Sequence, residues 1–401
     1  MLGYFAAASA LVALAMAGDP EANMKAPEII AHWGYPCETI QVYTDDGYML
    51  TMHRIRHGKN QDDGKTRPVM FLQHGLEASS SNWITNLPSL AMGFMAADAG
   101  FDVWMGNVRG DEYSIGHKTL DPKSKAFWRF SWDEMVKYDL PTMINHALNT
   151  TGQDHLYYVG HSQGTLIMFS HLAVNLDFQT KVRQFHALAP VGTVKHIKGL
   201  LEFIAKNFAP ELDIFEKIFG DGPFLPQDGL MRLIEKLFCS NDLTEKLLCG
   251  NLLFMIGGPE SNQMNTTRLP VYISDMPGGT STENILHWVQ MVHTGLQQMY
   301  DWGSEAANKQ HYGQTTPPIY DVSKIAVPTY LYWSDSDWLG DKQDIQEHLL
   351  PNYNPKYLIE NNYYKDFNHL DFIWGQRAAA EVYTPIIEKA LRDVNQMKNK
   401  L

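Results

Sequence analysis

The sequence predicts a mostly parallel β-sheet covered by helices on both faces and interrupted by a mainly helical insertion. Three observations carry this. Short apolar runs such as PVMFLQHG and FDVWMG alternate with helical patterns, as strands buried on both faces do. The alternation lapses over residues 193–317 and resumes at VPTYLYW, 327–333. Between the two, the strand-like LYYVG runs straight into a serine held between glycines, Gly160-His161-Ser162-Gln163-Gly164, and a helix-forming run follows.

Taken in order, residues 39–55 read as a hairpin with Asp45-Asp46-Gly47 at the turn. PVMFLQHG (68–75) is the next strand, AMGFMAADAG a helix ending at Gly100, and FDVWMG (101–106) a second buried strand. A helix over DEMVKYDLPTMINHAL (133–148) leads to LYYVG. Helical LIMFSHLAVNL and a strand near QFHALAP complete the first part of the core, residues 18–192. The insertion, 193–317, carries the amphipathic pieces GLLEFIAKNF, ELDIFEKIFG and GLMRLIEKLF. The core resumes over 318–401 with TYLYW, PKYLIE and a terminal helix around RAAAEVYTPIIEKAL. Alternating strands and helices of this kind build a parallel sheet.

The bulk properties narrow the function. With 401 residues, 44% hydrophobic and 19% charged, the chain can bury a large core unaided. A formal net charge of −13 and the lack of any Lys/Arg run argue against a nucleic-acid partner. Residues 1–17 read as a cleaved signal peptide: an apolar run too short to span a bilayer, then Ala15-Met16-Ala17 and a polar break at Asp19-Pro20. No later stretch has the length and apolarity of a transmembrane segment. Of the three cysteines, Cys239 and Cys249 are spaced to close a short disulfide loop, which leaves Cys37 over. Asn149 and Asn265 begin sequons, so both are expected glycosylation sites in a protein of the secretory pathway, secreted or lysosomal.

G-x-S-x-G alone is weak, since it arises by chance in roughly one chain in ten of this length. Its placement between strand and helix makes Ser162 the candidate nucleophile, on a sharp elbow that lifts the hydroxyl clear of the sheet. A hydroxyl needs a base, and in α/β-hydrolases the partners follow in the order Ser, Asp or Glu, His, on loops after later strands. His369, in FNHLDFIWG, is the only histidine after His348, which falls in a predicted helix, so position selects it. For the acid, SDSDWLGDKQD offers Asp335, Asp337, Asp341 and Asp344, and the first two lie at the right depth beyond the strand. The oxyanion of a tetrahedral intermediate would be bound by the backbone N–H groups of Gln163 and of Leu76 in QHGLE. His161 reads as a packing residue, because the base must arrive from across the site. No H-E-x-x-H, phosphate-loop or dinucleotide motif is present.

The motifs FLQHGL, ADAGFDVWMGNVRG, SWDEMVKYDLP, YYVGHSQGT, YDWGS and NHLDFIWG closely resemble the acid lipase family of gastric and lysosomal lipases. The resemblance runs from Trp33 to the end of the chain, more loosely in the insertion. It implies Ser162 as nucleophile, Asp337 as the acid, His369 as the base and Leu76 with Gln163 as the oxyanion hole. It also implies an α/β-hydrolase fold whose insertion forms a cap with a lid. The expected activity is hydrolysis of neutral lipids, triacylglycerols and for some members cholesteryl esters, at a lipid–water interface, without a metal or organic cofactor. Competing expectations are an esterase or acyltransferase on other acyl groups, and an inactive lipid-binding protein. Three departures stand out: Ser334 and Asp335 where the family has glycines, Gly257 in place of a cysteine, and Glu77, which is expected to bring a charge beside the oxyanion donor.

Overall fold

The computed structural model of the chain describes residues 19–207, 212–224 and 256–399. The leader, the piece GLMRLIEKLF and the Cys239 and Cys249 pair lie outside them. Helix α1 (Ala26–His32) precedes the hairpin of β1 (Glu38–Tyr43) and β2 (Met49–Ile55), which pair antiparallel with Val42 opposite Leu50. Then come β3 (Val69–Gln73), α2 (Met92–Asp98), β4 (Asp102–Gly106), α3 (Leu140–Thr151), β5 (Leu156–His161), α4 (Gln163–Val174) and β6 (Val182–Leu188). Between β6 and β7 the named elements are helical, among them α5 (Gly199–Asn207), α6 (Leu212–Phe219), α7 (Thr282–Thr294) and α8 (Glu305–Tyr312). The chain closes with β7 (Thr329–Ser334), β8 (Leu358–Tyr364) and α9 (Thr384–Lys398).

The eight strands form one sheet in the order β1-β2-β4-β3-β5-β6-β7-β8. Every pair from β4 to β8 is parallel, and β2 joins β4 antiparallel. Parallel strands require helical crossovers, so side chains must be apolar on both faces. β3 obeys this: Val69 and Phe71 enter one apolar cluster and Met70 and Leu72 the other. The first cluster holds Leu140 and Met143 of α3, Leu166 and Phe169 of α4, and also Ile204 and Ile285 from the insertion. The second holds Ile29 of α1, Phe94 of α2 and Ile386 of α9. The insertion is thus continuous with the core on the α4 side. Helix α4 is buried from Gln163 to Ala173, its polar Gln163, Thr165, Ser170 and His171 included.

Two elements differ from the sequence reading. β8 extends to Tyr364 rather than ending at Glu360. It is the last strand of the sheet, and its residues alternate in exposure, so Asn361 and Asn362 are tolerated; the Asn361 Oδ1 accepts from the Trp333 indole at 2.6 Å. The helix expected over 133–148 is broken into a short turn (Trp132–Glu134), a π-helical turn (Met135–Asp139) and α3. Pro141 has no N–H to donate and its ring crowds the carbonyl four residues back, a conflict that the wider turn relieves. The same device recurs as Ile345–Leu349 before Pro351 and as Ala379–Tyr383 before Pro385.

Candidate active site

Ser162 caps α4 with φ +54° and ψ −122°, a backbone conformation that a residue with a side chain rarely adopts. Its N–H donates to the Leu188 carbonyl at 3.1 Å, which ties the bend to the neighbouring strand. The flanking glycines permit this fold-back. A Cβ on Gly160 would lie 2.9 Å from the Gly164 carbonyl, and one on Gly164 would lie 2.4 Å from the Gln73 carbonyl oxygen at the end of β3. The turn after β3 abuts the serine as closely: a Cβ on Gly75 would fall 2.8 Å from Ser162 Cβ and 3.2 Å from its Oγ. Ser162 itself is 2% exposed.

Of the four spare carboxylates, Asp337 alone reaches His369 among the described residues. His369 Nδ1 lies 2.9 Å from Asp337 Oδ1 and 3.0 Å from Oδ2, with both side chains buried. A carboxylate only accepts, so Nδ1 carries the hydrogen of this contact. Asp337 Oδ1 is further fixed by the N–H groups of Leu339 and Gly340, both at 2.8 Å. The other three are committed elsewhere. Asp335 pairs with Lys342 at 2.7 Å and accepts from Tyr363 at 2.6 Å. Asp341 caps the turn at Gln343 and holds Lys198, and Asp344 accepts from the N–H groups of Lys195 and His196. Ser334 donates its hydroxyl to the Phe367 carbonyl and so ties the Asp337 loop to the His369 loop.

His161 connects Ser162 to His369. Its ring lies 4.7 Å from that of His369, and its Nε2 is 2.9 Å from the His369 carbonyl oxygen. Burial drives its pKa well below the ordinary histidine range, so the ring is neutral. The carbonyl only accepts, so the single proton is on Nε2 and is used to hold His369. The His369 N–H in turn donates to the Gly257 carbonyl at 2.9 Å. A Cβ on Gly257 would come 3.0 Å from Leu370, so the loops pack closely at this point.

Gln163, the first residue of α4, has a backbone N–H with no partner inside the helix. Its side chain is anchored: Oε1 accepts from Asn284 Nδ2 at 3.0 Å and from the Trp288 indole at 2.9 Å. Glu77, next to Leu76, has φ +54°. Its carbonyl accepts from Gly278 N–H at 2.7 Å and its Oε2 from Gly279 N–H at 3.1 Å. The charge expected there is absent at neutral pH and below, because burial pushes the Glu77 carboxyl up to about 8. Asn284 and Trp288 escaped the sequence reading, and Gly257 was marked only by its residue type and not as the acceptor for His369, since no local pattern marks a partner more than a hundred residues away. Asn149, near the end of α3, is exposed and Asn265 part-exposed. Among the described residues no cluster of three or more His, Cys, Asp or Glu could hold a metal ion.

A sheet of this order with a strained serine at the β5–α4 bend and a histidine–carboxylate pair on later loops defines the class: an α/β-hydrolase. A family model described as the alpha/beta hydrolase fold matches residues 68–375, and one for a partial alpha/beta-hydrolase lipase region matches 26–87. An epoxide hydrolase structure from Vigna radiata aligns with TM-score 0.50 at 14% identity, over 89% of this chain and 98% of that one, and so shares the fold alone. Lipase lipl-5 of Caenorhabditis elegans is 53% identical over 94% of each chain. Human gastric triacylglycerol lipase is 44% identical over 94% of this chain and 93% of its own. Human lysosomal acid lipase/cholesteryl ester hydrolase is 44% identical over 92% and 91%. The chain belongs to the acid lipase family and is an ester hydrolase.

Proposed function

We propose that this lipase cleaves neutral lipid esters, triacylglycerols and cholesteryl esters, through a Ser162-His369-Asp337 triad and an acyl-enzyme. The observation that carries the reading is the buried His369–Asp337 pair, joined through His161 to a serine held in a strained bend. His369 Nε2 takes the Ser162 proton as Oγ attacks the ester carbonyl, while Asp337 fixes the tautomer and stabilises the imidazolium. The N–H groups of Leu76 and Gln163 receive the oxyanion, each worth about 3 kcal/mol of barrier. The alcohol leaves with the proton from His369. Water then attacks the acyl-enzyme with the same base, and the fatty acid departs.

In this reading residues 193–317 are a cap over the serine and residues 18–192 and 318–401 the hydrolase core. Its substrates are insoluble, so the enzyme works where lipid meets water. The leader at 1–17, the sequons at Asn149 and Asn265 and the Cys239–Cys249 spacing support a secretory route, to lysosome or outside. No described helix is long and apolar enough to cross a membrane. The test is hydrolysis of trioleoylglycerol and cholesteryl oleate emulsions against a soluble short-chain ester, with Ser162→Ala as the blank. Turnover of the emulsions is expected; turnover of the soluble ester alone would make the protein an esterase of another kind.

A further inference from the structure

The two loops that would bind the oxyanion lie on different parts of the chain, one after β3 and one at the start of α4. A single stretch of the insertion touches both. Gly278 and Gly279 donate their N–H groups to the carbonyl and the carboxyl of Glu77, the residue after Leu76. The approach is close: a Cβ on Gly278 would lie 2.7 Å from the Ala78 carbonyl oxygen. Six and ten residues after Gly278, Asn284 and Trp288 donate to the side-chain oxygen of Gln163. All three side chains are buried, Asn284 at 0%, Trp288 at 1% and Gln163 at 3% exposed.

The stretch between these contacts is itself fixed. Asn284 Nδ2 also donates to Thr280 Oγ1 at 2.9 Å, and the Ser281 hydroxyl accepts from Asn284 N–H at 2.9 Å to cap α7. Ser281 Oγ donates in turn to the Phe130 carbonyl, and the Gly278 carbonyl accepts from Glu112 N–H at 2.8 Å. The loop is therefore bolted to the core at both ends.

We propose that residues Gly278–Trp288 of the insertion are the positioning element of the oxyanion hole, holding Leu76 through Glu77 and Gln163 through Asn284 and Trp288. This rests on the reading of the Leu76 and Gln163 N–H groups as the oxyanion donors. Backbone donors act only if they are aimed before the charge develops, and a displacement of an ångström costs orders of magnitude in rate. Glu77 needs such a hold, because its positive φ is disfavoured and must be imposed by its surroundings. The insertion then does more than cover the serine: its α7 end is part of what makes the site competent. Glu77, Asn284 and Trp288 are positioning residues and need not touch substrate.

The test uses the full-length enzyme and a soluble short-chain ester paired with its thionoester, whose sulfur is a weaker hydrogen-bond acceptor. Trp288→Phe removes the indole donor and keeps the ring; Glu77→Leu removes the acceptor for Gly279. Each is expected to lower kcat on the oxygen ester roughly 10- to 100-fold with KM nearly unchanged, and to shrink the ester-over-thionoester preference. Glu77→Gln, which keeps an acceptor, is expected to restore most of the rate. Folded Trp288→Phe and Glu77→Leu enzymes with wild-type kcat and wild-type preference would overturn the proposal. If Glu77→Leu does not fold, Trp288→Phe decides alone. A wild-type enzyme indifferent to oxygen or sulfur would instead remove the oxyanion-hole reading, and the proposal with it.

Discussion

Ser162, the proposed nucleophile, carries a conformational cost. Its φ of +54° is worth about 1–3 kcal/mol of strain that only a residue without a side chain escapes. Ser162→Ala and Ser162→Gly should both abolish hydrolysis. Ser162→Gly should in addition be the more stable of the two by about 1 kcal/mol in urea unfolding, because glycine relieves the bend; equal or lower stability would show that the elbow is unstrained. What was legible at this scale depended on local marks. Two glycines at fixed spacing after a strand exposed Ser162, and position after the last strand exposed His369. Depth beyond the strand left the acid open between Asp335 and Asp337, because only the fold shows that Asp335 pairs with Lys342 while Asp337 meets His369. His161 could not be seen as the tie to His369, a partner 208 residues away.

At the scale of elements, the loop after β4 is held by a buried ion cluster. Arg109, 1% exposed, donates to Asp139 Oδ1 from Nε at 2.8 Å and to Asp46 Oδ2 from Nη1 at 2.7 Å, and its guanidinium lies 4.0 Å from the Tyr48 ring centre. It joins the β1–β2 turn, the loop after β4 and the π-helical turn before α3. Arg109→Ala leaves a buried carboxylate unpaired and should cost about 3–5 kcal/mol in urea unfolding. Arg377→Ala, which breaks exposed pairs with Asp366 and Glu381, should cost under about 1 kcal/mol. Similar losses for the two would refute the cluster's role. The strands were legible because burial on both faces leaves a plain apolar signature. The π-helical turns were not, since a proline after an apolar helical run reads as an interruption and does not say how the backbone absorbs it.

For the whole molecule, buried carboxyls shape the response to pH. Burial raises Glu77 and Asp133 to about 8 and Glu283 to about 7, all above their unfolded values. From pH 8.5 to 6.5 the folded chain takes up protons that the unfolded chain does not, so acidification stabilises the fold across that window. Below pH 6.5 the unfolded chain protonates histidines that stay neutral when buried: His53 and His171, lowered to about 4, and His186 and His287, to about 3. This offsets the gain. The thermal midpoint should therefore rise from pH 8.5 to 6.5 and gain little below it; a midpoint that fell on acidification from 8.5 would contradict the assignment. At this scale the sheet with its helical insertion was readable in the rhythm of strands and helices, whereas the insertion's contacts with Glu77 and Gln163 were not, being a few single hydrogen bonds between residues far apart in sequence. The claim on which the account stands is that Ser162 is activated by His369 and Asp337. A fluorophosphonate probe, with the adduct mapped by mass spectrometry, tests it most directly. One adduct on Ser162, formed in step with loss of lipase activity and slowed about a thousandfold or more in His369→Ala, is the predicted result. Full inhibition with the adduct on another residue, or undiminished labelling of Ser162 in His369→Ala, would contradict it.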